Sequence, residues 1–352
     1  MYESFYGLTG KPFQLNPDPA FYFGSRGHKR AFAYLQYGVY QGEGFIVITG
    51  EIGAGKTTLV RNLFENLDRA RLVAAQLVST QLDADDMLRT VAVAFGLPVK
   101  AVDKASLLAS LEAFLCQLAL AGKRALLVVD EAQNLTPRAI EELRMLSNFQ
   151  LADQALLQSF LVGQPELREM MQGPHMQQLR QRVTASYHLG PLDRSETQSY
   201  IEHRLAHVGW KGDPQFAADA FALIHDATGG IPRRINTLCN RLLLAGFLAE
   251  KHAFEVTDIA PIVREIRDEL GPSAGPRSLR DPLTDAHNAR AFDLGNGQDA
   301  SSTESETRQA AGDLHDIEQR LGRLEKTVTG AVGLLHSMLR RERSAKPGSA
   351  SR

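Results

Sequence analysis

A chain of 352 residues with 43% apolar side chains and a formal net charge of −2 is long enough for two packed domains, and it carries no overall pull toward nucleic acid or anionic lipid. Its two cysteines, Cys116 and Cys239, lie in helix-like patterns without ligand spacing, which fits reduced thiols in a cytosolic protein and argues against a cysteine-held metal. The most apolar stretch, INTLCNRLLLAGFLAEKH, is interrupted by Asn236, Asn240 and Arg241 and falls short of the roughly 20 apolar residues that a membrane-spanning helix needs.

The opening segment MYESFYGLTGKPFQLNPDP has no basic flank followed by an apolar run, so no signal peptide is expected. Up to about residue 192, short apolar runs alternate with longer amphipathic ones. The strand candidates are Phe45 to Thr49, Leu72 to Leu77, Ala125 to Val129, Ser159 to Val162 and Ala185 to Leu189. Continuous apolar runs separated by helical patterns predict buried parallel strands in a layered α/β domain.

The first run feeds GEIGAGKTT, comprising Gly50, Glu51, Ile52, Gly53, Ala54, Gly55, Lys56, Thr57 and Thr58, which fits G-x-x-x-x-G-K-[ST] between a strand and an amphipathic helix. Glycines let such a loop wrap a polyphosphate with backbone N–H groups while the helix N-terminus faces the anion. Lys56 would reach the β and γ phosphates, and the Thr57 hydroxyl would bind Mg²⁺. The third run ends in adjacent carboxylates: Asp130 would hold the Mg²⁺ and Glu131 would polarise the attacking water. Two acids after a strand can simply cap a helix; the upstream loop turns the balance toward ATP hydrolysis.

Gln164 follows the fourth run, where it would orient the water or sense the γ phosphate, an ordinary loop glutamine being the rival reading. Arg180 and Arg182 precede the fifth. In ring-forming ATPases an arginine there faces the neighbouring subunit; a surface ion pair is the alternative, and Arg182 is preferred to Arg180. From Asp193 to Leu270 the strand signals stop and four helical patterns follow, with Ser195 and Gln198 spaced as a capping box and Pro232 opening a helix after Gly229-Gly230. Arg233 and Arg234 place positive charge in that helix's first turns, against its dipole, so a nearby anion would compensate and Arg233 is a candidate γ-phosphate contact.

Residues 271–312 are rich in Gly, Ser, Ala and Asp and read as a linker. Beyond them Leu314, Ile317, Leu321, Leu324, Val328, Ala331, Leu335 and Met338 form a heptad-like seam within 313–343. It suits a coiled coil or an amphipathic helix docking on the body. Residues 344–352 form a basic tail.

With these motifs the chain resembles an AAA+ ATPase of the ExeA or general-secretion-pathway A type, in the opening YESFYGLTGKPFQLNPDPAFYFGSRGHKRAFAYLQYG, in GEIGAGKTTL, DEAQNL, VGQPEL and QRVTASYHLGPL, and in GGIPRRINTLCNRLL. The subfamily associated with exosortase and PEP-CTERM sorting, which also serves exopolysaccharide production, is the nearest resemblance. It implies a three-layer P-loop core with a parallel sheet and an N-terminal extension over 1–192, and a small all-helical lid over 193–270. By resemblance Arg182 is the arginine finger, Arg233 the second sensor, and Gln164 sits at the first-sensor position, where Asn or Thr is commoner. The ligands implied are ATP and Mg²⁺, with the aromatic stretch FYFGSRGHKRAF walling the base.

ExeA-type ATPases usually continue into a membrane span and a peptidoglycan-binding domain, whereas here a linker and heptad segment follow. The expectation is a cytoplasmic ATPase, peripheral at the inner membrane, that forms an ATP-dependent homo-oligomer and works on a membrane-associated protein partner of an export or polysaccharide system. A DNA-binding AAA+ regulator of the transposition type is the second-ranked function, and nucleic acid the second-ranked partner.

Overall fold

The computed structural model describes residues 1–78, 82–99 and 103–270. The linker, heptad and tail expected over 271–352 lie outside them.

Five strands, β1 (Phe45–Gly50), β2 (Leu72–Val78), β3 (Arg124–Asp130), β4 (Leu157–Gly163) and β5 (Val183–Leu189), form one parallel sheet in the order β2-β3-β4-β1-β5. Each includes its expected run and extends it by one to three residues. Side chains of a strand alternate between faces. Val47, Leu127, Val129 and Leu161 therefore point one way, and Ile46, Ile48, Leu126, Val128, Phe160 and Val162 the other. Both sets are buried, which is why the strands read as continuous apolar runs.

The first face packs on α3 (Ala84–Ala94), α4 (Lys104–Leu120), α5 (Pro137–Leu146) and α6 (Pro165–Gln172), through Met87, Leu111, Leu143 and Leu167 among others. The second packs on α1 (Arg26–Gln41) and α2 (Lys56–Glu65), through Leu35, Leu59 and Leu63. Helix layers on both faces complete the three-layer α/β arrangement.

Four helices follow: α7 (Arg194–His207), α8 (Ala218–Thr228), α9 (Pro232–Leu248) and α10 (Val256–Leu270). Their core, including Ile201, Leu205, Ile235, Leu238 and Leu242, also takes in Tyr2, Tyr6, Leu8 and Phe13. The N-terminal segment thus packs against the lid, and the Tyr2 hydroxyl donates to Asn240 Oδ1 at 2.7 Å. A two-residue parallel pairing, Gln215–Phe216 with Ala253–Phe254, adds strand to a region where none was expected.

The capping box that opens α7 sits two residues before the expected one. Asp193 Oδ1 accepts from the Glu196 backbone N–H at 2.8 Å, and the Glu196 carboxylate accepts from the Asp193 N–H at 3.4 Å. Ser195, expected as the cap, instead donates its hydroxyl to Asp193 Oδ1 at 2.7 Å. A carboxylate at Asp193 accepts both bonds and also meets the positive end of the helix, which makes it the stronger cap.

Candidate functional site

All parts of the site except Arg182 lie at the carboxyl ends of the parallel strands, where open α/β sheets hold their ligands. Beyond β1 the loop turns at Gly53 (φ 83°) and Gly55 (φ 98°), conformations that a side chain rarely adopts. Space forbids one as well. A Cβ on Gly53 would lie 2.3 Å from the Cβ of Arg233, and one on Gly55 would lie 2.7 Å from Nε2 of His28. His28 is buried and held by Ser25, whose Oγ lies 2.7 Å from Nδ1, and burial pushes its pKa below the ordinary value. A neutral imidazole therefore buttresses the loop from beneath.

Lys56, the first residue of α2, is buried and donates to the carbonyls of Gly50 at 2.7 Å and Glu51 at 2.9 Å. Burial pushes its pKa down, while Glu131, Asp130 and Glu51 pull it back up. The Thr57 hydroxyl donates to Asp130 Oδ2 at 3.1 Å, which brings together two residues 73 positions apart. Asp130 ends β3, and burial raises its pKa. Hydroxyl beside carboxylate is the donor pair that Mg²⁺ uses when its other ligands are phosphate oxygens and water. A bare loop, a buried lysine and that pair fit a magnesium nucleotide.

Glu131 stands on the next residue in a left-handed conformation, φ 53°. This is a costly geometry for a glutamate, of the kind that concentrates at functional sites. Its Oε2 accepts from Gln133 Nε2 at 2.6 Å and from Gln164 Nε2 at 2.9 Å. Gln133 Oε1 in turn accepts from the Gln164 backbone N–H at 3.0 Å. Burial pushes the Glu131 carboxyl up, but the two glutamine hydrogen bonds and the charge of Lys56 leave it below its usual value. The group is ionised at neutral pH and fixed from two sides. Gln164 therefore bonds to the candidate base itself, and Gln133, which the sequence reading passed over, completes the clamp.

Arg182 lies elsewhere. Its carbonyl accepts from Phe45 N–H at 2.9 Å, at the opening of β1, whereas the glycine loop follows the other end of that strand. Five residue steps of a strand separate the two ends by roughly 16 Å, so the side chain does not serve its own site. Its Nη1 donates to Ser147 Oγ at 2.8 Å. Arg180 is committed to backbone, donating to the carbonyls of Met171 at 2.6 Å and Gly173 at 3.0 Å.

Arg233 is exposed at the start of α9 and its backbone N–H donates to the Gly53 carbonyl at 3.1 Å, tying lid to loop. The cleft runs from the glycine loop between the Asn16–Phe23 segment and the lid; Phe21, Tyr22 and Phe23 line it, as do Tyr200 and Asn236. At the hinge, Arg26 donates through its backbone N–H to Glu196 Oε1 at 2.8 Å and through its guanidinium to Asp193 and Glu196. Among the described residues no helix is long and apolar enough to cross a membrane, and no three His, Cys, Asp or Glu side chains gather as a resident metal site.

A family model described as "AAA domain" matches residues 39–171. General secretion pathway protein A of Aeromonas hydrophila is 40% identical over 274 residues, covering 76% of this chain and 50% of that protein. The chain thus spans about half the length of this curated relative. Among solved structures, the Aeropyrum pernix ORC2 protein in its ADPNP–ADP complexes superposes with a TM-score of 0.55 at 18% identity, over 72% of this chain and 71% of that one. Drosophila ORC bound to DNA superposes with a TM-score of 0.53 at 16% identity, over 75% of this chain and 65% of that one. At such identities these two likenesses speak for the fold alone.

Proposed function

We propose, from the premise that the chain has the AAA P-loop NTPase fold, that it is a Mg²⁺-dependent ATPase in which Glu131 activates the attacking water. The observation that carries this reading is the convergence of Lys56, Thr57, Asp130 and Glu131 on one end of the sheet, with Glu131 ionised and clamped by Gln133 and Gln164. Lys56 and the loop amides bind the polyphosphate. Thr57 and Asp130 hold Mg²⁺, which supplies charge neutralisation for the phosphates. Glu131 takes a proton from water while Gln164 and Gln133 keep its carboxylate aimed, and Arg233 contacts the γ phosphate from the lid.

Because Arg182 cannot reach its own site, its role as a finger requires a second copy. We infer an ATP-dependent homo-oligomer in which Arg182 of one subunit faces the nucleotide of the next. The work we assign to it is on a membrane-associated protein partner of an export system, from a cytoplasmic position peripheral to the inner membrane. The 40% identity to general secretion pathway protein A favours this, and the sequence motifs favour the exosortase and exopolysaccharide branch. The DNA-binding alternative leans on the lid arginines Arg233, Arg234 and Arg241, of which Arg233 and Arg234 are exposed. Arg241 is paired with Glu269 at 2.6 and 2.9 Å, and Arg233 adjoins the glycine loop.

The experiment is phosphate release by the purified chain with ATP and Mg²⁺. Glu131→Gln should keep nucleotide binding and lose turnover by about 10²- to 10⁴-fold, the usual contribution of a general base. Undiminished turnover in that variant would refute the assignment. DNA binding that weakens steeply with salt would favour the alternative, and no binding at low salt would remove it.

A further inference from the structure

Arg204 of α7 is 6% exposed, yet among the described residues no carboxylate bonds it. Its guanidinium donates to the carbonyls of Pro12 at 2.6 Å and Gln14 at 3.2 Å, and to the phenol oxygen of Tyr200 at 2.8 Å, and it lies 4.7 Å over the ring of Phe21. A buried cation held by neutral acceptors at the wall of the nucleotide cleft asks for a reason beyond stability.

Arginine has no acceptor, so the Tyr200 oxygen must accept from it. The phenol proton then goes to the other neighbour, Asn236 Oδ1, at 2.9 Å. Burial pushes the Tyr200 pKa up, so that proton stays in place. The chain of donors runs one way, from Arg204 through Tyr200 to Asn236. If the Asn236 amide turned over, Nδ2–H would stand against the phenol O–H and both protons would lose an acceptor. Asn236 lines the cleft one turn along α9 from Arg233, and its Nδ2 has no hydrogen-bond partner among the described residues.

We propose that Asn236 reads the amino edge of adenine, with Nδ2–H donating to a ring nitrogen and Oδ1 accepting from the N6 amino group through its second lone pair. Arg204 and Tyr200 act as positioning residues that lock the orientation of the amide. This assignment rests on the ATP reading above. An asparagine amide offers a donor beside an acceptor, which matches adenine's ring nitrogen and amino group. Guanine's N1–H and O6 present the reverse order and would fit an amide turned over; its N7 and O6 are both acceptors and fit neither orientation. The lock therefore excludes guanine, as an unfavourable pairing built against a competitor.

The test is direct binding of ATP, GTP, 7-deaza-ATP and 1-deaza-ATP to the full chain and to its Tyr200→Phe and Asn236→Ala variants. The wild type should prefer ATP to GTP by about tenfold or more, the scale of one matched bidentate pair. One deaza analogue should bind about tenfold more weakly than ATP, and Asn236→Ala should not distinguish that analogue from ATP. Tyr200→Phe, which frees the amide to turn over, should bring ATP and GTP within about threefold. If ATP binds and the Asn236→Ala and Tyr200→Phe variants keep the wild-type ATP-to-GTP ratio, the assignment is overturned while the ATPase reading stands. If ATP fails to bind the wild type, both fall. Should Asn236→Ala not fold, the analogues on the wild type and the Tyr200→Phe ratio decide.

Discussion

Glu131 takes its position from a backbone geometry few glutamates adopt and from two glutamines, one of them 33 residues away. The motif residues Gly50 to Thr57, Asp130 and Glu131 were legible because the chemistry demands fixed local spacing. Their supports were not. Gln133, His28 and Asn236 acquire meaning only when the fold brings a distant residue beside them, and nothing in the string marks His28 as the group under Gly55. That histidine has a measurable consequence. Burial holds its pKa below the ordinary imidazole value of 6.5, so the unfolded chain takes up the proton first. The stability it confers is complete above pH 6.5 and declines as the pH falls below that value. His203, lowered by burial and by His207 and Arg204, acts in the same direction. Thermal melting should therefore drop between pH 7.5 and 5.5, and His28→Gln should flatten the dependence without abolishing it. An unchanged slope in that variant would place the titration elsewhere.

Helix α7 illustrates what sequence patterns resolve at the level of elements. A capping box was expected at Ser195 and Gln198, but two overlapping frames were present, and the one with Asp193 and Glu196 prevailed because ionised acceptors bind backbone N–H groups more strongly. The same two carboxylates also receive Arg26 from the first turn of α1. One cap thus serves both helix and hinge, a double use invisible to spacing alone. Asp193→Ala should cost about 1 kcal/mol of stability, as a lost N-cap usually does, and should speed amide exchange at the start of α7 more than in the sheet. Equal protection of α7 in variant and wild type would show that Arg26 and Glu196 suffice. The apolar strands, in contrast, were legible to within one to three residues; the central ones are buried on both faces and read as apolar runs, while β5, with its alternating exposed Thr184, Ser186 and His188, was the least continuous.

For the molecule as a whole, the separation of Arg182 from its own glycine loop means that the finger we propose would divide one active site between two chains. Mixing variants tests this. Glu131→Gln and Arg182→Ala proteins should each be inactive alone, yet a mixture should recover part of the wild-type turnover, because an Arg182→Ala subunit keeps Glu131 and can borrow the arginine of its neighbour. ATP with Mg²⁺ should raise the apparent mass in the same preparations by light scattering. A mixture no more active than its components would remove the finger from Arg182. The layered core was foreseeable from alternating periodicities, whereas the packing of Tyr2, Tyr6 and Phe13 into the lid was not, because a short aromatic stretch carries no sign of which domain will receive it.

The link between the Arg233 amide and the Gly53 carbonyl is made by main-chain atoms only. Almost any amino acid at 233 preserves it, provided that Gly53 stays glycine; proline at 233 deletes the donor while remaining acceptable in the opening turn of α9. Substitution on the outside of the lid can thus proceed without breaking its tie to the loop.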